Sequence, residues 1–367
     1  LMKLIHCADL HLDSKMDTNL DKESAKERKG EILHTFERMI MYAAQNEISA
    51  ILIAGDMFDV KNISATTRNV VIHNIVGHPN ITFYYLRGNH DNDNFLSGLE
   101  DVPENLKMFD SNWTTYGEAE GKIAISGMEL SAENAESAYI SLVLDTKKFN
   151  IVMLHGQESK SAVKDRAEII NLKALRNKGI DYLALGHIHM HKMEKLDARG
   201  TYCYAGCLEG RGFDECGEHG FVVLNINENT GEYSHEFVQF AKRKLYIVNV
   251  DVTGCQTTAE MVSKATLELQ NAGCDAEGLV KIVLKGSLDV ECEKDIVYFQ
   301  SCFRQHFYYV KVYDETRLKI NVSDYMLDAS LKGEYVRQVM QDESISEEDK
   351  KIIIRYGLQA IAGEEVQ

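Results

Sequence analysis

Residues 2–13 read MKLIHCADLHLD, an apolar run over 3–8 that breaks off into Asp9-Leu10-His11. Runs of the same kind cover 50–54, 81–86, 122–128, 150–154 and 181–185, short and rich in Ile, Val, Leu and Tyr. Such runs read as buried strands. Between the first two, residues 24–46 carry Ile32, Leu33, Phe36, Met39, Ile40 and Ala43 at helical spacing, and 65–76 repeats the pattern. Strands alternating with helices predict an α/β chain whose helices cover the faces of a sheet. After Gly200, closely spaced β segments at 201–205, 221–226 and 233–240 predict a second sheet packed on the first. The expected fold class is α/β, two mixed sheets flanked by helices.

Polar residues cluster where these strands end. Asp9-x-His11 follows the first, Gly55-Asp56-x-x-Asp59 the second and Gly88-Asn89-His90-Asp91 the third; His155-Gly156 and Gly186-His187-x-His189 follow 150–154 and 181–185. In open α/β sheets ligands gather at the carboxyl ends of strands, so groups far apart in sequence converge there. A lone D-x-H or a lone buried histidine usually belongs to a plain loop or core. All these motifs in order, each after an apolar run, form a joint signal. Asp9, His11, Asp56, Asn89, His155, His187 and His189 make a donor set suited to Mn²⁺, Fe²⁺ or Zn²⁺, too rich in nitrogen for Ca²⁺ or Mg²⁺ and without thiolate. The glycines before Asp56, Asn89 and His187 permit tight turns and close approach.

The order D-x-H, G-D-x-x-D, G-N-H-D, H-G, G-H-x-H resembles that of the calcineurin-like metallophosphoesterase superfamily. Within it HCADLHLD (6–13), AGDMFD (54–59) and GHIH (186–189) resemble the bacterial SbcD-type DNA repair exonucleases, over roughly residues 2–240. YAGCLEGRGFDE (204–215) is similar to the segment after the last metal motif in a shorter SbcD-like branch. The resemblance implies a two-sheet αββα sandwich and two ions, most readily Mn²⁺. Asp9, His11, Asp56 and His189 would hold one, and Asp56, Asn89, His155 and His187 the other, with Asp56 bridging. It further implies that His90 stabilises charge on the phosphate and protonates the leaving oxygen, and that Asp59 orients His90. The implied activity is phosphodiester hydrolysis, as a DNA exonuclease or endonuclease of a repair complex.

Nearby residues carry weaker readings. Asp91 and Asp93 read as solubilising a turn, Asp13 as a loop cap and His191 as an extension of the His187/His189 alternation without a role. Arg87 reads as neutralising a carboxylate near the metals and Arg211 as a phosphate contact, each equally readable as surface charge. The eight cysteines include no C-x-x-C pair. They read as reduced packing residues, a zinc site at Cys203, Cys207 and Cys216 being the less favoured alternative.

From residue 244 the order is strand 245–252, helix 258–272, strand 279–285, helix 291–307 and strand 308–313, then helices at 324–341 and 346–361. The domain reading is a catalytic part over 1–240, a small α+β cap over 244–318 and a helical segment over 324–367. The resemblance gives the cap a part in binding DNA. Ile352, Ile353, Tyr356, Leu358 and Ile361 form an apolar stripe that either packs on its own domain or docks an SbcC-like ATPase subunit. A homodimer is a further partner reading.

With 44% hydrophobic and 26% charged residues and two prolines, the 367-residue chain has an ordinary globular composition. No apolar run is long enough to span a bilayer, and a cytoplasmic location is expected. Leu1, ahead of Met2, reads as an addition to the natural start. A formal charge of −17 argues against nucleic acid held by the general surface, though a local basic patch or a partner subunit can supply that surface. Three other readings stand beside the nuclease: a phosphomonoesterase or nucleotidase, a small-molecule phosphodiesterase, and a catalytically silent scaffold for an ATPase.

Overall fold

The computed structural model describes residues 1–367 except 17–19, 60–62, 92, 97–98, 100, 160–168, 290–291, 320–321 and 363–367. The chain forms two units, Leu1–Leu245 and Tyr246–Gln367.

The first unit opens with β1 (Met2–Cys7), α1 (Lys22–Gln45), β2 (Ala50–Ala54), α2 (Ala65–Gly77), β3 (Thr82–Leu86) and β4 (Leu106–Met108). It continues through β5 (Thr114–Glu118), β6 (Ile123–Gly127), α3 (Ala135–Ser141), β7 (Phe149–His155), the short β8 (Gln157–Ser159) and β9 (Ile169–Asn171), and α4 (Leu172–Leu175). It closes with β10 (Tyr182–Gly186), β11 (Lys192–Lys195), β12 (Thr201–Tyr204), β13 (Gly220–Ile226) and β14 (Tyr233–Gln239). One six-stranded sheet runs β14-β13-β1-β2-β3-β4 and the other β11-β12-β10-β7-β6-β5.

Side-chain alternation explains why the sheets stack. On β1 and β2, Leu4, Leu52 and Ala54 point one way, and Ile5, Cys7, Ile51 and Ile53 the other. The first set joins Ile151, Met153, Tyr182 and Ala184 of the second sheet in one buried core. The other set packs with Ile32, Phe36, Met39 and Ile40 of α1 and Val71 and Ile75 of α2. On the far face of the second sheet, Val152, Leu154, Leu183 and Leu185 pack with Ala138 of α3 and Leu172 and Leu175 of α4. Helix, sheet, sheet, helix is the resulting order of layers. Asp21 caps α1, accepting from the amides of Glu23 and Ser24 at 3.0 Å, and Ser64 caps α2.

The sequence reading put the segments at 201–205, 221–226 and 233–240 together into a second sheet, and the structure corrects this. Only Thr201–Tyr204 lies there, parallel to β10. The second sheet is already under way at β5, whereas β13 returns to pair antiparallel with β1, Leu4 opposite Leu224, and carries β14 with it. The return makes β1 an interior strand, which accounts for its near-complete burial.

The second unit has the sheet order β15 (Leu245–Asp251), β16 (Leu279–Lys285), β18 (Tyr309–Asp314). Val250, Ile282 and Leu284 pack against Met261, Ala265 and Leu269 of α5 (Thr258–Asn271) and Phe299 and Phe303 of α6 (Ile296–Phe303). A short parallel pair, β17 (Ser287–Asp289) with β19 (Arg317–Lys319), lies beside this sheet in sequence. The helix expected over 291–307 is thus shorter, and its first expected residue, 291, lies outside the described residues. The helix expected over 324–341 is two, α7 (Val322–Tyr325) and α8 (Leu331–Gln341), because Ser330 starts α8 afresh by accepting from the Gly333 amide. Val336 and Val339 of α8 pack with Ile354 and Leu358 of α9 (Glu347–Ala362).

Candidate metal centre

Hydrogen bonding between β1 and β2 continues beyond the strand ends. Asp9 N donates to Gly55 O at 3.0 Å, His11 N to Asp56 O at 3.0 Å, Leu12 N to Met57 O at 2.9 Å and Asp59 N to Leu12 O at 3.1 Å. The two motif-bearing turns therefore lie side by side. Asp9, His11 and Asp56 have φ of 51°, 46° and 51°, and His187 has 101°. Left-handed backbone at residues with a Cβ costs about 1–3 kcal/mol each, and its concentration here marks a functional site. Two glycines make the close approach possible: a Cβ on Gly88 would meet Asp56 Oδ1, and one on Gly186 would meet the Ala54 carbonyl oxygen.

Three groups of donor atoms converge, each within 4.8 Å: Asp9, His11 and His189; Asp9, Asp56 and His155; His11, Asp59 and His90. His155 Nε2 lies 3.0 Å from Asn89 Oδ1 and 3.3 Å from Asp56 Oδ2. His187 sets its ring perpendicular to that of His155, centroids 5.4 Å apart, and its amide donates to both Asp9 oxygens at 2.9 and 3.0 Å. The His90 amide donates to Asp56 Oδ1 at 2.9 Å. Every residue singled out from the sequence as a ligand or as an acid–base group thus meets at one place, the carboxyl ends of β1, β2, β3, β7 and β10.

The outer nitrogens fix how the imidazoles point. His155 Nδ1 donates to Ala54 O at 2.9 Å. His189 Nδ1 lies 2.6 Å from Glu215 Oε1, and His90 Nδ1 lies 3.1 Å from Asp59 Oδ1, with His11 Nδ1 farther off at 3.4 Å. Carbonyl and carboxylate oxygens only accept, so the Nδ1 atoms of His155, His189 and His90 carry a hydrogen, and where such a ring is neutral the lone pair of its Nε2 is turned inward. His11 Nε2 and His189 Nε2 then face each other at 3.1 Å. With His11 in the same tautomer as His189, two lone pairs would meet there and repel unless a cation or an added proton stood between them. With Asp9 beside them, the donor chemistry fits a divalent ion.

Electrostatics agree. Burial pushes the Asp9 carboxyl up to about 6, against the pull of His155 and His189. Burial pushes Asp56 up as well, but its bond to His155 and the His155 charge outweigh it and hold Asp56 at about 2. Burial pulls His155 down, and the Asp56 hydrogen bond with the Asp9 and Asp56 charges overcomes it, to about 9. The site concentrates buried negative charge, which divalent ions compensate.

Asp91 and Arg211 differ from the sequence reading. Asp91 does not solubilise a turn: its carboxylate accepts from the Phe58 amide at 2.9 Å and the Gly88 amide at 2.8 Å, stitching the turn after β2 to that after β3. The side chain of Asp93 lies outside the described residues. Arg211 does not reach out for phosphate but joins Asp59 at 3.3 Å to Glu215 at 2.9 Å. Arg87 forms a two-bond pair with Glu129 at 2.6 and 2.7 Å. His191 bonds the Tyr204 carbonyl at 3.1 Å and stacks on Phe237, and Asp13 is buried, accepting from Ser64 and Thr67 at the start of α2. Among the described residues, no cysteine belongs to a group of converging metal donors. The sequence reading missed Glu215, although GRGFDE had been singled out as a segment. The usable signal was chemical: a ligating histidine wants an acceptor on its other nitrogen.

A helix–sheet–sheet–helix sandwich with an Asp, His and Asn centre at the ends of strands from both sheets defines a metallophosphoesterase. The profile of the calcineurin-like phosphoesterases matches residues 2–191, more than half of the chain, and the chain belongs to that family. It is 28% identical over 302 residues to the uncharacterized metallophosphoesterase YhaO of Bacillus subtilis, covering 78% of this chain and 72% of that one. It is 22% identical to the DNA double-strand break repair protein Mre11 of Sulfolobus acidocaldarius, covering 96% of this chain and 94% of that one. Among solved structures it is similar to TT1561 of Thermus thermophilus, with a TM-score of 0.43 and 12% identity, over 64% of this chain and 98% of that one.

Proposed function

We propose that this chain is a two-metal phosphodiester hydrolase acting on DNA, an exonuclease or endonuclease of a repair complex. The observation that carries the chemistry is the His90–Asp59 pair beside the donor groups, with Asp59 at Nδ1 and Nε2 left for proton transfer. In this reading Asp9, His11, Asp56 and His189 hold one ion, and Asp56, Asn89, His155 and His187 the other. Mn²⁺ is the expected metal, with Fe²⁺ and Zn²⁺ also suited to the donors. Divalent ions bound there would supply an activated water and polarise the phosphoryl oxygens. Asp56 would serve both ions, and its Oδ1 accepts from the His90 amide. His90, with its side chain 47% exposed, has the access to solvent that a group meeting a large substrate needs. It stabilises the developing charge and delivers a proton from Nε2 to the leaving oxygen.

The choice of DNA is supported by the likeness to Mre11 along almost the whole chain. The acidic balance of −17 favours a partner that supplies basic surface. An SbcC-like ATPase subunit fits that role, and Leu327, Leu331 and Ile352, which are 96%, 71% and 48% exposed around the α8–α9 pair, offer it apolar contacts. A homodimer is the other assembly considered. In this reading 1–240 is the catalytic part, 244–318 an α+β cap with a part in binding DNA, and 324–367 a helical segment that packs on its own domain or docks the partner. Among the described residues no helix is long and apolar enough to cross a membrane.

The test is Mn²⁺-dependent hydrolysis of short single- and double-stranded DNA by the wild type and His90→Ala, with an aryl phosphomonoester in parallel. DNA cleavage lost in the variant supports the reading. Turnover of the monoester alone would keep the metal centre and remove the nuclease.

A further inference from the structure

Two imidazoles of the centre are held from behind by one assembly, which also lies close to a third. Asp59 Oδ1 lies 3.1 Å from His90 Nδ1 and 3.4 Å from His11 Nδ1, and its Oδ2 lies 3.3 Å from Arg211 Nη1. Arg211 Nη2 donates to Glu215 Oε1 at 2.9 Å, and the same Oε1 receives His189 Nδ1 at 2.6 Å. Glu215 Oε2 accepts the Arg211 amide at 2.7 Å. Glu215 is 5% exposed, and neither it nor Arg211 lies in any of the metal motifs. A buried carboxylate is stabilised only by charge and hydrogen bonds, and here Arg211 and His189 supply both. One guanidinium thus sets the spacing of two carboxylates, and those carboxylates set the rings of His90 and His189.

We infer that Glu215 and Arg211 are positioning residues of the metal centre: Glu215 holds His189 in the tautomer that presents Nε2, and Arg211 locks Glu215 to Asp59. The inference rests on the two-metal reading. Gln at 215 keeps the shape but offers a single acceptor oxygen where His189 Nδ1, Arg211 Nη2 and the Arg211 amide now converge on two. Met at 211 leaves the Glu215–His189 contact in place and removes the link to Asp59. Lys is no substitute there, because a point charge does not hold two carboxylates in a fixed fork.

The experiment is calorimetric titration of metal-free protein with Mn²⁺, together with ring ¹⁵N spectra of its histidines, for wild type, E215Q and R211M. The wild type should take up two ions and show His189 with its hydrogen on Nδ1. E215Q should weaken one of the two sites by about 10–100-fold, the usual effect of losing an outer partner of a ligating histidine, and leave the other site unchanged. Its His189 signals should move towards mixed tautomers. R211M should weaken the same site less and keep the His189 tautomer. If both variants bind two ions with wild-type affinity, the inference is overturned while the two-metal reading stands. If E215Q does not fold, R211M decides, and wild-type affinity in it overturns the inference. A wild type that binds no divalent ion removes the two-metal reading and this inference with it.

Discussion

His11 and His189, 178 residues apart in the chain, bring their Nε2 atoms to 3.1 Å. One comes from the turn after the first strand of one sheet, the other from the turn after β10 in the second. The approach places one nitrogen donor from each sheet at the same point. Replacing His11 by Ala should therefore abolish one metal site and leave the fold intact, since the residue is held by function rather than by core packing. Mn²⁺ stoichiometry falling from two to one, with an unchanged circular dichroism spectrum, is the expected result.

His90→Ala should lower the rate of hydrolysis by about 10²–10⁴-fold, the range for losing a positioned acid or base. Both metals should remain bound, because only the backbone amide of His90 touches Asp56. Asp59→Asn should cost less, since the amide still approaches His90 Nδ1 but no longer with charge. Full activity in His90→Ala would remove the residue from the mechanism.

Asp56→Ala has the opposite signature. Its carboxylate lies 3.3 Å from His155 Nε2 and is 2% exposed, so its loss strips charge from the centre of the donor set. Metal occupancy itself should collapse. Two normally bound ions in that variant would sink the bridging assignment.

What the sequence disclosed followed from locality. Strand ends carry their own punctuation, so Asp9-x-His11, Asp56 and His187-x-His189 were readable as ends of strands before any sheet was drawn. The return of β13 beside β1 had no such mark: Leu4 opposite Leu224 is a pairing over 220 positions, and nothing near either residue encodes it. Asp91 was misread for a related reason. A carboxylate after Asn89-His90 resembles any polar turn until the amides of Phe58 and Gly88, from different turns, are seen to converge on it. Glu215 was missed because two strands, β11 and β12, and their loops separate it from its partner His189, with no fixed spacing to search for.

Acid stability should depend on Glu31, which lies outside the metal centre. Burial pushes its carboxyl up, but Arg243, Lys242 and Arg28 outweigh burial and hold it at about 2, below the ordinary 4.5. A depressed folded value means stabilisation that is complete above pH 4.5 and lost as pH falls towards 2. Between pH 6 and pH 3 this group alone should remove about 2 kcal/mol of unfolding free energy. Urea unfolding at the two pH values, wild type against Glu31→Gln, isolates the contribution. An equal pH dependence in both proteins would remove Glu31 from the account.

Gly186→Ala tests whether the meeting of the two sheets sets the geometry of the centre. Gly186 ends β10 in one sheet and Ala54 ends β2 in the other, and a Cβ at 186 would run into the Ala54 carbonyl oxygen. That oxygen also accepts the His155 Nδ1 hydrogen at 2.9 Å, so the collision cannot be relieved without moving a candidate ligand. Overpacking of this kind costs about 1–3 kcal/mol. The variant should melt several degrees lower and also bind Mn²⁺ more weakly. Gly77→Ala is the matched control: nothing lies within 4 Å of a Cβ there, at the end of α2, and the change should be neutral or stabilising by up to about 1 kcal/mol. If both variants keep wild-type metal affinity, close contact at Gly186 serves packing alone and the geometry of the centre is set by its side chains.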